Sequence, residues 1–273
     1  MLDGKITVLT SYEGLEANQI TLADGELDIT ATDDGINANG GSDGFSGGFG
    51  GGFGGGRGGM GGSFGGRRND TNNHSGDMTP PDGNAPSGNP PTMPGQDAAD
   101  STTTDDTTDK QPVLLITGGK ITVNADGDGL DSNGNLRVEG GDITINGPAN
   151  GGNGALDIGT ENGGAGVIAG GTLIALGTSS MAENFGSTST QCAFLVTMNS
   201  FGAGETITIT DSQGTVLYTG VTVKSANSVV FSSADLVVGE TYTVTIGSTS
   251  ATVTQSSTVV GNSNGFGGGF GRH

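Results

Sequence analysis

The chain has one cysteine, Cys192, in 273 residues. That leaves no disulfide framework and no thiolate zinc site. Its only histidines are His74 and the last residue, His273, which removes the nucleophile schemes that rely on an imidazole base. Tryptophan is absent and aromatics make up 5% of the chain, so the usual stacking platform for neutral glycans is missing. Tyr12, beside Glu13, remains a ring that could stack on a sugar. Basic residues number 9 against 29 acidic ones, a formal net charge of −20. Nucleic acid needs a basic surface and is excluded as a partner, and metal-free binding of an acidic polymer is disfavoured for the same reason. No apolar run approaches the roughly 18 to 20 residues of a membrane span. The opening MLDGKITVLT lacks the basic start and apolar stretch of a signal peptide.

What the chain has is glycine, 56 residues of it, and a recurring short strand. ITV (6–8), ITL (20–22), LDI (27–29), ITV (121–123), LRV (136–138) and ITI (143–145) each flank a polar residue with apolar ones. That alternation marks a strand with one buried face. Most sit directly behind a glycine turn such as DGK, DGE, GGK or GGD. Ile6 and Leu27 are 21 residues apart, Ile121 and Ile143 are 22 apart, and Ile143 and Leu173 are 30 apart. A period near 21 or 22, with several strands and turns in each unit, predicts an all-β solenoid whose stacked coils make the core together. Leu27 to Ile121 spans 94 residues, one repeat plus an insertion of roughly 72. Residues 40–111 supply it, first as Gly/Phe-rich sequence and then as an Asn, Pro, Thr and Asp mixture; disorder is expected there. Coils are expected over 1–39 and 112–178, a small antiparallel β module that caps the stack over 190–250, and a flexible tail over 251–273.

The acidic turns keep the same register. YEGLEAN (12–18), DDGINAN (33–39), GDGLDSN (127–133) and GNGALDI (152–158) fall at corresponding places. Equivalent positions of stacked strands lie about 4.8 Å apart. Glu13, Asp34 and Asp128 should form one column and Glu16, Asn37, Asp131 and Asp157 a second, with Asp33 and Asp126 beside them. A single Asp-Gly turn is ordinary turn chemistry, but carboxylates stacked at that spacing repel unless a cation lies between them. An all-oxygen ligand set without histidine or cysteine selects a hard cation, and Ca2+ fits best.

SYEGLEANQITLADGELDITATDDGINANGG, ITGGKITVNADGDGLDSNGNLRVEGGDITINGP and ALDIG together resemble a family of calcium-dependent carbohydrate-binding proteins. Its members are right-handed parallel β-helices, related in fold to pectate lyases, and its characterised member binds polygalacturonic acid. SVVFSSADLVVGETYTVTIG is similar to that family's C-terminal end. The resemblance covers about 1–40 and 112–250 and assigns the metal role to Glu13, Glu16, Asp33, Asp34, Asn37, Asp126, Asp128, Asp131 and Asp157. It implies a secreted or cell-surface protein without catalytic activity that binds pectin-like acidic polysaccharide through Ca2+. A monomer is expected, with upstream coils and an export signal lying before the present start.

Two alternatives stay open. One is a pectate-lyase-like polysaccharide lyase, in which Lys5, Lys120 or Arg137 would act as base beside calcium. The other is a structural or adhesive surface protein that calcium only rigidifies.

Overall fold

Short strands between glycine turns are what the alternating triplets dictate, and the computed structural model, which describes residues 1–39 and 111–261, is built from them. Among the described residues there is no α-helix, only a 3-10 turn at Thr160–Asn162. The expected disorder of the insertion and of the chain's last residues lies outside the described residues.

Five strands precede the insertion: β1 (Lys5–Ser11), β2 (Leu15–Ala17), β3 (Gln19–Leu22), β4 (Glu26–Ala31) and β5 (Ile36–Ala38). After it come β6 (Val113–Ile116), β7 (Lys120–Ala125), β8 (Leu130–Ser132), β9 (Asn135–Asn146), β10 (Leu156–Ile158) and β11 (Gly166–Gly177). Equivalent strands lie side by side and parallel. In the large sheet the order is β1, β4, β7, β9, β11. Ile6 stands opposite Leu27, Leu27 opposite Ile121, Ile121 opposite Ile143 and Ile143 opposite Leu173. β3 and β6 extend this sheet beside the first part of β9. β2, β5, β8 and β10 form a separate four-stranded parallel sheet.

Inward positions stack as columns of like residues. Ile29, Val123 and Ile145 are fully buried in one, Ile36, Leu130 and Leu156 in another, and all belong to a single core. Each such side chain contributes about 1.5 to 3 kcal/mol on burial. On the outer face Lys5, Glu26, Lys120 and Asp142 alternate in sign across four strands. Lys5 Nζ reaches Glu26 Oε1 at 2.8 Å.

The remaining strands are β12 (Ala193–Phe201), β13 (Thr206–Thr210), β14 (Val216–Val221), β15 (Ala226–Ser232), β16 (Thr241–Ile246), β17 (Thr249–Thr254) and β18 (Val259–Val260). β14, β13, β16 and β17 make an antiparallel sheet in that order. β15 and β12 do not join it, although the sequence groups them with it. They continue the large sheet, β15 antiparallel to β11 and β12 antiparallel to β15. The reason is two-sided cover: most of β15 is buried whichever way its side chains point, as is the apolar run Leu173–Leu176 of β11. Ile174 and Leu176, from the outer face of β11, share a second core with Phe194, Phe231 and Tyr242, where the rings of Phe194 and Phe231 lie 5.7 Å apart. Ordered strands also run past residue 250, where the sequence suggests a tail, because alternating Thr, Ala and Val in β17 pair along β16.

Candidate metal centre

The small parallel sheet sets the acidic residues in rows. Glu16 pairs with Asn37, Asn37 with Asp131 and Asp131 with Asp157, one from each strand. Two residues before each strand stand Glu13, Asp34, Asp128 and Gly154. Their backbones are tied by Gly14 N donating to Asp34 O (2.9 Å), Gly35 N to Asp128 O (2.8 Å) and Gly129 N to Gly154 O (3.1 Å).

The glycine between the rows is there for space. Gly14, Gly35 and Gly129 all lack positive φ. A Cβ at Gly35 would strike Val123 Cγ1 and come within 2.6 Å of Gly129 O, and one at Gly129 would strike Ile145 Cγ2. Each turn is drawn against the core and the next turn, which holds neighbouring acids at strand spacing.

Hydrogen bonds meet part of the need of these oxygens. Asp34 Oδ1 accepts from Asp128 N at 2.7 Å, and Asp34 Oδ2 accepts from Asn37 Nδ2 at 3.3 Å. Asp128 Oδ1 accepts from Gly154 N at 2.5 Å. Glu13 Oε2 and Asn37 Oδ1 are buried and have no hydrogen-bond partner. Asp131 is only 9% exposed. Burial first, then the carboxylates of Asp157 and Asp128, pushes Asp131 up to about 8. Burial and the neighbouring Asp34 and Asp33 raise Glu13 to about 7. Burial raises Asp128 to about 7 against the pull of the Gly154 N–H. Asp34 and Asp157 are also raised, chiefly by burial. These groups crowd one another with no lysine or arginine among them to offset the charge.

Three expected ligands have partners of their own. Asp126 Oδ1 receives Lys224 Nζ at 2.6 Å, and the same ammonium donates to Ala125 O. The Tyr12 hydroxyl donates to Asp33, and Asn39 Nδ2 donates to Glu16 Oε1 at 2.6 Å. Lys5 and Arg137 are held by Glu26 and Glu139, and Lys120 lies between Glu26 and Asp142 on the ladder.

Two participants escaped the sequence reading. Glu183 Oε2 accepts from Ile158 N at 2.9 Å, next to Asp157, and burial pushes it up to about 7. Its signal was a constant step of 26 residues from Asp131 to Asp157 to Glu183, hidden because no ITV-type strand accompanies it. Lys224 had no local signal, since its partner lies 98 residues away.

Known proteins add nothing to this. No protein-family model matches the chain, and neither does any curated protein or solved structure.

The donor set nevertheless suits a hard cation. It is all oxygen, partly desolvated and negative, with two orphaned acceptors, Glu13 Oε2 and Asn37 Oδ1, one in each row. The acids are arrayed along the sheet rather than gathered. Among the described residues no three or more Asp, Glu, His or Cys side chains form a cluster ready to hold an ion. The ladder sets one row residue on each strand, and that register accounts for the spread.

Proposed function

We propose that this chain is a right-handed parallel β-helix that holds Ca2+ in its acidic turns and binds acidic, pectin-like polysaccharide without cleaving it. Parallel pairing of strands 21, 22 and 30 residues apart, extended across the insertion in the same register, supports the helical stack. Carrying the metal assignment is one observation: the in-register row Glu16, Asn37, Asp131 and Asp157, in which Asn37 Oδ1 is unsatisfied and Asp131 and Asp157 are desolvated. Glu13, Asp34, Asn37, Asp128, Asp131 and Asp157 would hold the ions, joined by Glu183 at the far end. Glu16, Asp33 and Asp126 stand at the margin. Bound calcium would neutralise the row and offer remaining coordination positions to uronate carboxylates. The rows repeat at strand spacing, which suits a polymer carrying regularly spaced acids. By the family resemblance of its acidic turns, the protein would act outside the cell or on its surface.

The test is titration calorimetry of calcium into chelator-stripped protein, followed by polygalacturonate with and without the metal. Calcium binding, with polymer binding only in its presence, is the expected result. Polymer retained in chelator would overturn it, and calcium binding with no polymer binding would reduce the metal to a structural brace.

One observation favours the lyase alternative. Lys224 is a basic side chain beside the acidic turns, and its side chain is only 18% exposed. Unsaturated uronide forming from polygalacturonate, read by ultraviolet absorbance and lost in Lys224→Met, would make this an enzyme with Lys224 as its base.

A further inference from the structure

The last repeat and the C-terminal strands meet around a cavity of about 240 Å3. Its walls come from the loop between β9 and β10, from the segment that follows β11, and from β12 and the start of β15. Thr178, Ser179, Ser180, Ser200, Ser225 and Asn227 supply its polar side chains, and the rest of the lining is alanine and glycine. No charged group and no large apolar side chain lines it, although the chain carries a net charge of −20. The walls are pinned to one another. Asn227 Oδ1 accepts from Ser179 N at 2.6 Å. Ser180 Oγ donates to Thr178 Oγ1 at 3.3 Å, which donates in turn to Asn153 O at 3.2 Å. Ser228 Oγ donates to Gly177 O at 3.0 Å and ties β15 to the end of β11. The cavity is therefore preformed. The bond from Ser179 N also fixes which way the Asn227 amide points. Its Nδ2 hydrogens and the hydroxyls of Ser200 and Ser225 have no protein partner among the described residues.

We propose that this cavity binds one uncharged sugar residue, at a site separate from the acidic rows. The lining decides the class of ligand. A hard cation needs anionic oxygens, and no carboxylate lines the cavity. A carboxylate or phosphate is held by cationic partners, and no lysine or arginine lines it either. An apolar ligand would leave buried hydroxyls unpaired. Hydroxyls that both donate and accept, beside an amide that donates, match a ring of hydroxyls that does the same. At roughly 30 Å3 for each water, the cavity holds about eight of them, which is room for a single ring and not for a length of polymer. No aromatic side chain contributes, so recognition rests on the pattern of hydroxyls and not on stacking. The site stands whether or not the acidic turns hold calcium.

Saturation-transfer NMR of the full chain in chelator, with D-galactose, D-glucose, L-rhamnose and L-arabinose in turn, tests it. A linear galactan is the polymer arm and D-galacturonate the charged control. Transfer to at least one neutral sugar is expected, and none to D-galacturonate. Transfer to a free sugar identifies a monosaccharide pocket, and transfer to the galactan alone identifies a pocket for a residue within a chain; either supports the site. Asn227→Asp keeps the acceptor for Ser179 N and removes the two donors, and Ser225→Leu adds bulk to the lining. Each should weaken binding at least tenfold in a titration, with the melting temperature unchanged. Ser250→Leu, at an exposed position of β17, should leave it intact. No transfer to any neutral sugar or to the galactan would overturn the proposal. Binding that survives both Asn227→Asp and Ser225→Leu would overturn it equally, by placing the sugar elsewhere on the chain.

Discussion

Gly35 illustrates how a single residue ties the core to the acidic rows. In sequence it reads as the turn glycine of DDG, chosen for conformational freedom, yet its backbone asks for none. Space decides: a methyl group there meets Val123 on one side and the next turn's carbonyl on the other. Gly35→Ala should cost about 1 to 3 kcal/mol in urea unfolding, the range for overpacking a filled site. It should also weaken calcium binding, because the strain falls between Asp34 and Asn37. Unchanged unfolding would show that the turns are loosely packed. The acids themselves were legible in the sequence as a recurrence, since position in a repeat fixes position in a row. Glu183 was not, because it keeps the spacing without the strand pattern that announces it, and neither was Lys224, because an ion pair spanning 98 residues leaves no local trace.

For the strands, the triplet spacings were enough to align β1, β4, β7, β9 and β11, since like residues then stand opposite one another and a one-residue slip would turn every apolar residue outward. They could not say which sheet β12 and β15 join, because alternation reports a buried face and not what covers it. The turn between β14 and β15 adds a clamp. Lys224 reaches back to Asp126 and Ala125 O at the end of β7, holding the C-terminal strands to the turn that carries Asp128. Asp126 is 61% exposed, so the pair is worth about 1 kcal/mol or less. Lys224→Met and Asp126→Asn should each lower stability by about that amount, and the double variant by no more than either alone. Calcium affinity should hold in Asp126→Asn; a tenfold loss would return Asp126 to the ligand set that the sequence suggests.

For the whole molecule, the acidic row sets the response to pH. Glu13, Asp128 and Glu183 at about 7 and Asp131 at about 8 lie above the unfolded carboxylate range near 4. The folded state thus holds these protons more tightly than the unfolded one. Their contribution to stability is full below about 4 and is lost as pH rises through 7 to 8. In chelator the melting temperature should fall between pH 5 and pH 8, and saturating calcium should remove most of that fall. Scanning calorimetry at both pH values decides it, and a metal-free protein that melts higher at pH 8 would mean the acids are already compensated. The parallel pairing has a kinetic consequence as well. Strand pairs in the two parallel arrays join residues 21 to 94 positions apart, whereas Ile246 and Thr249, at the tip of β16 and β17, are three apart. Closing the 94-residue span costs about 1 kcal/mol more than closing one of 22, and distant pairings form slowly. On the ribosome, therefore, the β16–β17 hairpin, quick to form, is made after the parallel repeats, and β4 and β5 wait for partners synthesised after them.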